Sequence, residues 1–251
     1  MDVEYYITNK CNLNCKGCAA FAPLVKEDNS KPLKQIEKDF KKLHELIGEK
    51  IRTLTIMGGE PLLHPDINNV VTYISKLFKN SEIRMVTNGI LLPKMNDEFF
   101  NILKIHLSEL CVTVYPTNTD YEKIFKLLDD RQIKYKKYGV KNLFYHQYLK
   151  EEYEDPKDCW YRNLYVLKDN KIYTCTEIAF FNYFEEEFKG QHSLKITEDD
   201  YIDLDKINSF EELEEAKKKI PPFCGYCMGN DKKMTKWGTS KKDINEWIKN
   251  T

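Results

Sequence analysis

Short runs rich in β-branched residues alternate with amphipathic stretches from the N-terminus to His146. Residues 3–8 (VEYYIT) read as a strand, and from Leu33 onward Ile36, Phe40, Leu43, Leu46 and Ile47 recur at helical spacing. Residues 52–57 form a second strand, ended by Gly58-Gly59; Ile67, Val70, Val71, Ile74, Leu77 and Phe78 line one face of a helix after Pro65. Residues 83–87, closed by Asn88-Gly89, make a third strand, followed by a helix through Phe99, Ile102, Leu103 and Leu107. Residues 110–115 read as a fourth strand and 121–128 as a helix, and residues 134–138 and 142–146 complete the series. Six strands with intervening helices predict parallel β/α units, too few for a closed eight-unit barrel. The expected fold is α/β, a partial (β/α)6 TIM-like barrel over residues 1–150, with its chemistry at the C-terminal strand ends.

Over residues 149–156 the composition turns acidic and loop-like, which places a boundary there and an extension over 151–251. The extension opens with a predicted hairpin, residues 164–167 and 171–175, about Asp169-Asn170, a pair able to take positive φ. A long acidic loop, a helix over 210–219, a Cys-x-x-Cys and a last helix near 241–249 follow.

Lys and Arg number 39 against 40 Asp and Glu, which excludes a nucleic-acid binder working by bulk electrostatics. No apolar run approaches the length of a membrane span, and the N-terminus lacks the basic start and apolar core of a secretory signal. The expectation is a cytoplasmic protein with no nucleic-acid or membrane partner. Eight cysteines then stand out, because in a reducing compartment dense cysteine means metal or catalysis rather than disulfides.

Cys11, Cys15 and Cys18 make a C-x3-C-x2-C loop just after the first strand. Three thiolates on one loop can grip three corners of a cubic four-iron cluster and leave its fourth iron open, where clusters normally take four cysteines. Zinc is the alternative, although structural zinc wants a fourth ligand and the spacing is not the usual knuckle. The loop resembles that of the radical S-adenosylmethionine (radical SAM) superfamily, whose members carry it after the first strand of a partial β/α barrel. The resemblance implies that Cys11, Cys15 and Cys18 hold a [4Fe-4S] cluster whose open iron is chelated by S-adenosylmethionine (SAM). One electron then splits SAM to methionine and a 5′-deoxyadenosyl radical, which takes a hydrogen atom from substrate. Gly58-Gly59-Glu60-Pro61 stands after strand two, where the family meets the methionine ammonium. Paired glycines allow close backbone approach, and Glu60 would neutralise the charge. Thr87 and Asn88, ending strand three, are a ribose contact by position, or a strand-ending turn. The family usually has an aromatic residue before the third cysteine, lying against the adenine; here it is Gly17, so adenine must stack elsewhere.

Cys159 and Cys175 flank the hairpin, and Cys224 and Cys227 follow as Cys-Gly-Tyr-Cys. Four thiolates suit either Zn(Cys)4 or a fully ligated iron–sulfur cluster. The arrangement resembles the twitch extension of some radical SAM enzymes, the shorter relative of the SPASM domain, which implies an auxiliary [4Fe-4S] cluster on these four residues. Asn170 stands where that pattern has glycine, and asparagine is the next residue most tolerant of left-handed backbone. Filled by four cysteines, such a cluster would not bind substrate but could accept an electron from a substrate radical. Cys111 reads as a buried strand residue. His146 and Tyr115 near strand ends, and Glu177 just past Cys175, are candidate bases or substrate contacts, each with a packed or solvated side chain as the alternative. Trp237 reads as loop packing against the barrel, or as a wall for substrate.

The leading expectation is an oxidoreductase that abstracts hydrogen from a small molecule and is served by a flavodoxin- or ferredoxin-type electron donor. The layout resembles the twitch-type dehydrogenases of aminoglycoside biosynthesis, which implies a sugar- or cyclitol-like substrate. The alternatives are crosslinking or epimerisation of a ribosomally made peptide and, from another class, a non-catalytic metal-bound scaffold or electron carrier.

Overall fold

Parallel strands need crossover helices, and the N-terminal part of the chain supplies them in order. The computed structural model describes residues 1–27, 29–140, 142–146, 148–156, 159–229 and 233–249. The chain divides into two units, Met1–Lys10 with Asp28–Asn142, and Cys11–Glu27 with Leu143–Thr251. In the first, β1 (Asp2–Tyr6), β2 (Thr53–Met57), β3 (Glu82–Thr87), β4 (Glu109–Thr113) and β5 (Tyr135–Tyr138) lie in the order β5-β4-β3-β2-β1, each pair parallel. Between them run α1 (Leu33–Ile47), α2 (Ile67–Leu77), α3 (Asp97–His106) and α4 (Tyr121–Asp130).

The helical spacing read from the sequence is the spacing that is buried. Ile36, Phe40, Leu43 and Ile47 of α1 and Val70, Val71 and Ile74 of α2 all face the core. Two helix starts are set by side-chain caps: Asn96 accepts from Phe99 N ahead of α3, and Asp120 from Lys123 N ahead of α4. Each cap contributes about 1 kcal/mol. The register sets Tyr6 beside Met57 and Thr87 beside Val112, so the strand ends that carry Gly58-Gly59 and Asn88 share one edge of the sheet.

The second unit carries β6 (Leu143–His146), β7 (Leu164–Lys168), β8 (Lys171–Tyr173), α5 (Thr176–Glu187), β9 (Ile202–Asp203), α6 (Phe210–Lys218) and β10 (Lys233–Lys236). β7, β8 and β9 are antiparallel, and Asp169 and Asn170 turn the hairpin at φ 51° and 60°, as their residue types predict. The mixed α/β fold with a largely parallel sheet stands, but three local expectations change. The sixth strand is not a further parallel strand: β6 pairs antiparallel with β10 in a separate two-stranded sheet. Only residues 139–142 separate it from β5, and a parallel crossover needs about a dozen residues or more. The acidic loop after the hairpin begins instead with α5, whose Ile178, Ala179, Phe180, Phe181 and Phe184 are all buried. The last helix shrinks to the 3-10 turn Ile244–Glu246, because the next residues pair with Leu149: Leu149 N donates to Trp247 O at 2.8 Å and Lys249 N to Leu149 O at 2.9 Å.

Candidate functional site

In the first unit one carboxylate ties the ends of β2 and β3. Glu60 is 1% exposed and accepts from Leu62 N at 3.1 Å, Thr87 Oγ1 at 2.5 Å and Asn88 N at 2.8 Å. Burial pushes its pKa up to about 7 against the pull of those donors. Thr87 Oγ1 also accepts from Gly89 N at 2.9 Å, and Asn88 Oδ1 accepts from Ile90 N at 3.0 Å, so both side chains shape the turn. Pro61 opens the 3-10 turn Pro61–Leu63, for which Glu60 is the cap. Tyr115 lies two residues past β4, partly exposed, and its backbone N–H donates to Tyr121 Oη at 3.3 Å.

The two glycines have a structural reason. A Cβ on Gly59 would stand 2.5 Å from the carbonyl oxygens of both Asn9 and Lys10, and one on Gly58 would stand 2.9 Å from Thr8 O. The chain past β1 runs that close because Gly59 N donates to Thr8 O and Glu60 N to Lys10 O, each at 2.9 Å. Gly59→Ala is expected to destabilise the protein by about 3 kcal/mol, the scale of forced repacking. A lowered urea midpoint would show it. Gly139→Ala, whose added Cβ meets nothing within 4 Å, is the matched control and should leave the midpoint in place.

The cysteine loop belongs to the second unit. Cys11, Cys15 and Cys18 are each partly exposed, and N–H groups point at the sulfurs of the first two. Leu13 N donates to Cys11 Sγ at 3.4 Å and Trp237 Nε1 to Cys15 Sγ at 3.3 Å, while Phe21 N donates to the Cys18 carbonyl oxygen at 2.9 Å. The loop ends in Phe21, fully buried at φ 51°, whose ring lies 5.5 Å from Phe184 and 5.9 Å from Trp247. Left-handed backbone costs a non-glycine residue about 1–2 kcal/mol, which burial of a whole phenyl ring offsets. Desolvation pushes the Cys15 thiol up to about 12 and raises Cys18.

The second set of cysteines gathers in the same unit. Cys227 raises the pKa of both Cys224 and Cys175, and Cys159 raises that of Cys224 and Cys227, so the four lie within electrostatic reach. Burial is the larger cause, lifting Cys224 to about 12 and Cys227 to about 11. Gly229 N donates to Cys227 Sγ at 3.3 Å. Gly225, between the last two cysteines, is required by packing, since a Cβ there would lie 2.4 Å from Glu154 O. Glu177, buried in the first turn of α5, accepts from the Cys175 thiol at 2.8 Å, and burial raises its carboxyl pKa. The side chain of His146 lies outside the described residues. Among the described residues, no three His, Cys, Asp or Glu side chains form a group able to hold a single metal ion.

The sequence profile of the Radical SAM superfamily matches residues 5–189, most of the chain. The chain belongs to the radical SAM superfamily. Membership makes it a radical SAM enzyme and implies SAM and a [4Fe-4S] cluster as its cofactors. The GTP 3′,8-cyclase of Clostridium botulinum (strain Okra / Type B1) is 26% identical over 261 residues, covering 94% of this chain and 78% of that protein. The GTP 3′,8-cyclase of Clostridium acetobutylicum is 30% identical over 128 residues, and the match spans 49% of this chain but only 39% of the relative. BtrN in complex with AdoMet and 2-DOIA shares the fold, with a TM-score of 0.56 over 91% of this chain and 93% of that one at 12% identity. Among the described residues, no helix is long and apolar enough to cross a membrane.

The residues present fit what the radical SAM family requires. Thiols lifted by burial shed their protons when a metal binds, and N–H groups at the sulfurs stabilise a cluster's negative charge. Sequence reasoning missed Phe21 and Trp247 as anchors of the loop and read Trp237 only as packing or a substrate wall. The one local hint was the pair of tryptophans in an otherwise polar tail.

Proposed function

We propose that this radical SAM enzyme dehydrogenates a small hydroxylated molecule of sugar or cyclitol type, with an auxiliary [4Fe-4S] cluster on Cys159, Cys175, Cys224 and Cys227 taking up the substrate's electron. The observation that supports this is the gathering of those four cysteines into the unit that also holds the Cys11–Cys18 loop. When bound, the loop cluster supplies the electron that splits SAM into methionine and the 5′-deoxyadenosyl radical, which takes a hydrogen atom from substrate. Cys11, Cys15 and Cys18 would hold three irons and leave the fourth open. The Gly58–Pro61 turn with the Glu60 carboxylate would receive the SAM ammonium, and Thr87 and Asn88 its ribose. Loss of hydrogen from a carbinol carbon leaves a radical that becomes a ketone by giving up one electron and its hydroxyl proton. The auxiliary cluster would take the electron and pass it to a flavodoxin- or ferredoxin-type carrier; Glu177 is the described carboxylate suited to take the proton, and Tyr115 would serve as a substrate contact.

The test is anaerobic reconstitution, followed by iron counting and assay with SAM, reductant and a panel of polyols and aminocyclitols. The expected outcome is about eight irons per chain, two four-iron clusters, 5′-deoxyadenosine formation, and a product lighter by two hydrogens. Cys224→Ala with Cys227→Ala should lower the count to about four irons, keep SAM cleavage and abolish ketone formation. Ketone formation at the parent rate in that variant would sink the electron-acceptor role. The GTP 3′,8-cyclase relatives favour a second reading, ring closure on a purine nucleotide. With GTP as substrate that reading requires a cyclised product without loss of the two hydrogens, so product mass separates the two.

A further inference from the structure

The segment after β10 lies along the cysteine loop inside the second unit. Lys16 N donates to Gly238 O and Ser240 N to Asn14 O, each at 2.8 Å, and Cys15 forms an antiparallel bridge with Thr239. Two tryptophans on this segment donate to the loop, but to different atoms. Trp247, 2% exposed, gives its indole N–H to the Cys18 carbonyl at 3.0 Å. Trp237 gives its indole N–H to the Cys15 sulfur at 3.3 Å, across 222 positions of sequence. Cys11 receives an N–H from Leu13 within the loop, whereas Cys15 receives this one from a residue more than two hundred positions away.

An N–H aimed at a cluster sulfur stabilises negative charge there. The reduced cluster carries one electron more than the oxidised one, so such a bond favours reduction and raises the potential. Indole is a donor only, and phenylalanine keeps a ring at the position while removing the N–H. The Trp247 bond ends on a carbonyl and fastens the loop without touching a sulfur.

We propose that Trp237 is a positioning residue for the radical SAM reaction, setting the reduction potential of the loop cluster through its N–H bond to the Cys15 sulfur. The C-terminal segment is thereby part of the electron-accepting site rather than a tail. This rests on the assignment of the cluster to Cys11, Cys15 and Cys18.

The test is a redox titration of the reconstituted full chain, followed by EPR on the signal that changes when SAM is added. Trp237→Phe is expected to keep the parent's iron content and lose about tenfold in the reduced-to-oxidised ratio at a fixed potential, a midpoint lower by about 59 mV for one electron. Trp247→Phe is expected to leave the midpoint at the parent value. An unmoved midpoint in Trp237→Phe, or an equal drop in both variants, would overturn the proposal by making the contact merely structural. If Trp237→Phe does not fold, the parent labelled with 15N in its tryptophan indoles answers instead. A nitrogen coupling to the reduced cluster that survives in Trp247→Phe supports the role, and no coupling overturns it. A parent without any SAM-responsive signal would defeat the cluster assignment itself, an outcome distinct from a present signal with an unmoved midpoint.

Discussion

Replacing Cys15 with alanine is expected to cut the iron content by about four atoms per chain and to reduce SAM cleavage to background. Cys11, Cys15 and Cys18 sit on one short loop, which itself offers no fourth thiolate to a four-iron cluster. Removing one of three ligands leaves two, and the Trp237 N–H then faces a methyl group instead of a sulfur. The free energy of cluster binding is also free energy of ordering the loop, so the loss is cooperative rather than partial. Cys111→Ala is the control: Cys111 is buried on β4 in the first unit and should cost only about 1 kcal/mol while leaving iron and SAM cleavage at parent levels. Iron analysis and 5′-deoxyadenosine yield, measured side by side, decide the matter. Retention of full iron and cleavage in Cys15→Ala would mean that the loop is not the cluster site.

The largest stability effect is expected at Glu60. Truncation to alanine strands the Leu62 and Asn88 N–H groups and the Thr87 hydroxyl in a buried pocket, a loss of about 4 kcal/mol at the scale of a broken buried network. Glu60→Gln keeps the shape but puts an amide NH2, a donor group, where the pocket supplies donors, so about 2 kcal/mol is expected. The two variants also differ from the parent in pH dependence. Because burial raises the folded-state pKa from 4.5 to about 7, the folded state binds the Glu60 proton more tightly than the unfolded state does. The stability this contributes is complete below pH 4.5 and declines as pH rises through about 7, by about 3 kcal/mol in all. Urea unfolding of parent and Glu60→Gln across that interval should show the gap between them narrowing as pH rises. A constant gap would mean that the three donors hold the carboxyl near its ordinary value after all.

The first unit was readable because its information is local. Periodicity marked β1 to β4 and α1 to α4, since each presents one apolar face to one core, and Gly58-Gly59 and Asn88-Gly89 marked the strand ends. The cysteine loop was readable for the same reason: its three cysteines lie within eight consecutive residues. Periodicity could not show α5, because its residues 176–181 are buried all round and its exposed residues bunch toward the C-terminal half, leaving no continuous polar stripe to reveal the period.

Sequence alone therefore determined the radical SAM chemistry and the parallel α/β fold, both written in short spacings. Tertiary structure decided what depends on distant partners. It took β6 out of the parallel sheet, because residues 139–142 cannot span a crossover, and gave it to β10. It exchanged the last helix for pairing with Leu149, because the same backbone groups cannot serve both. It also brought the Trp237 N–H to Cys15, a contact between chain ends that no local pattern encodes.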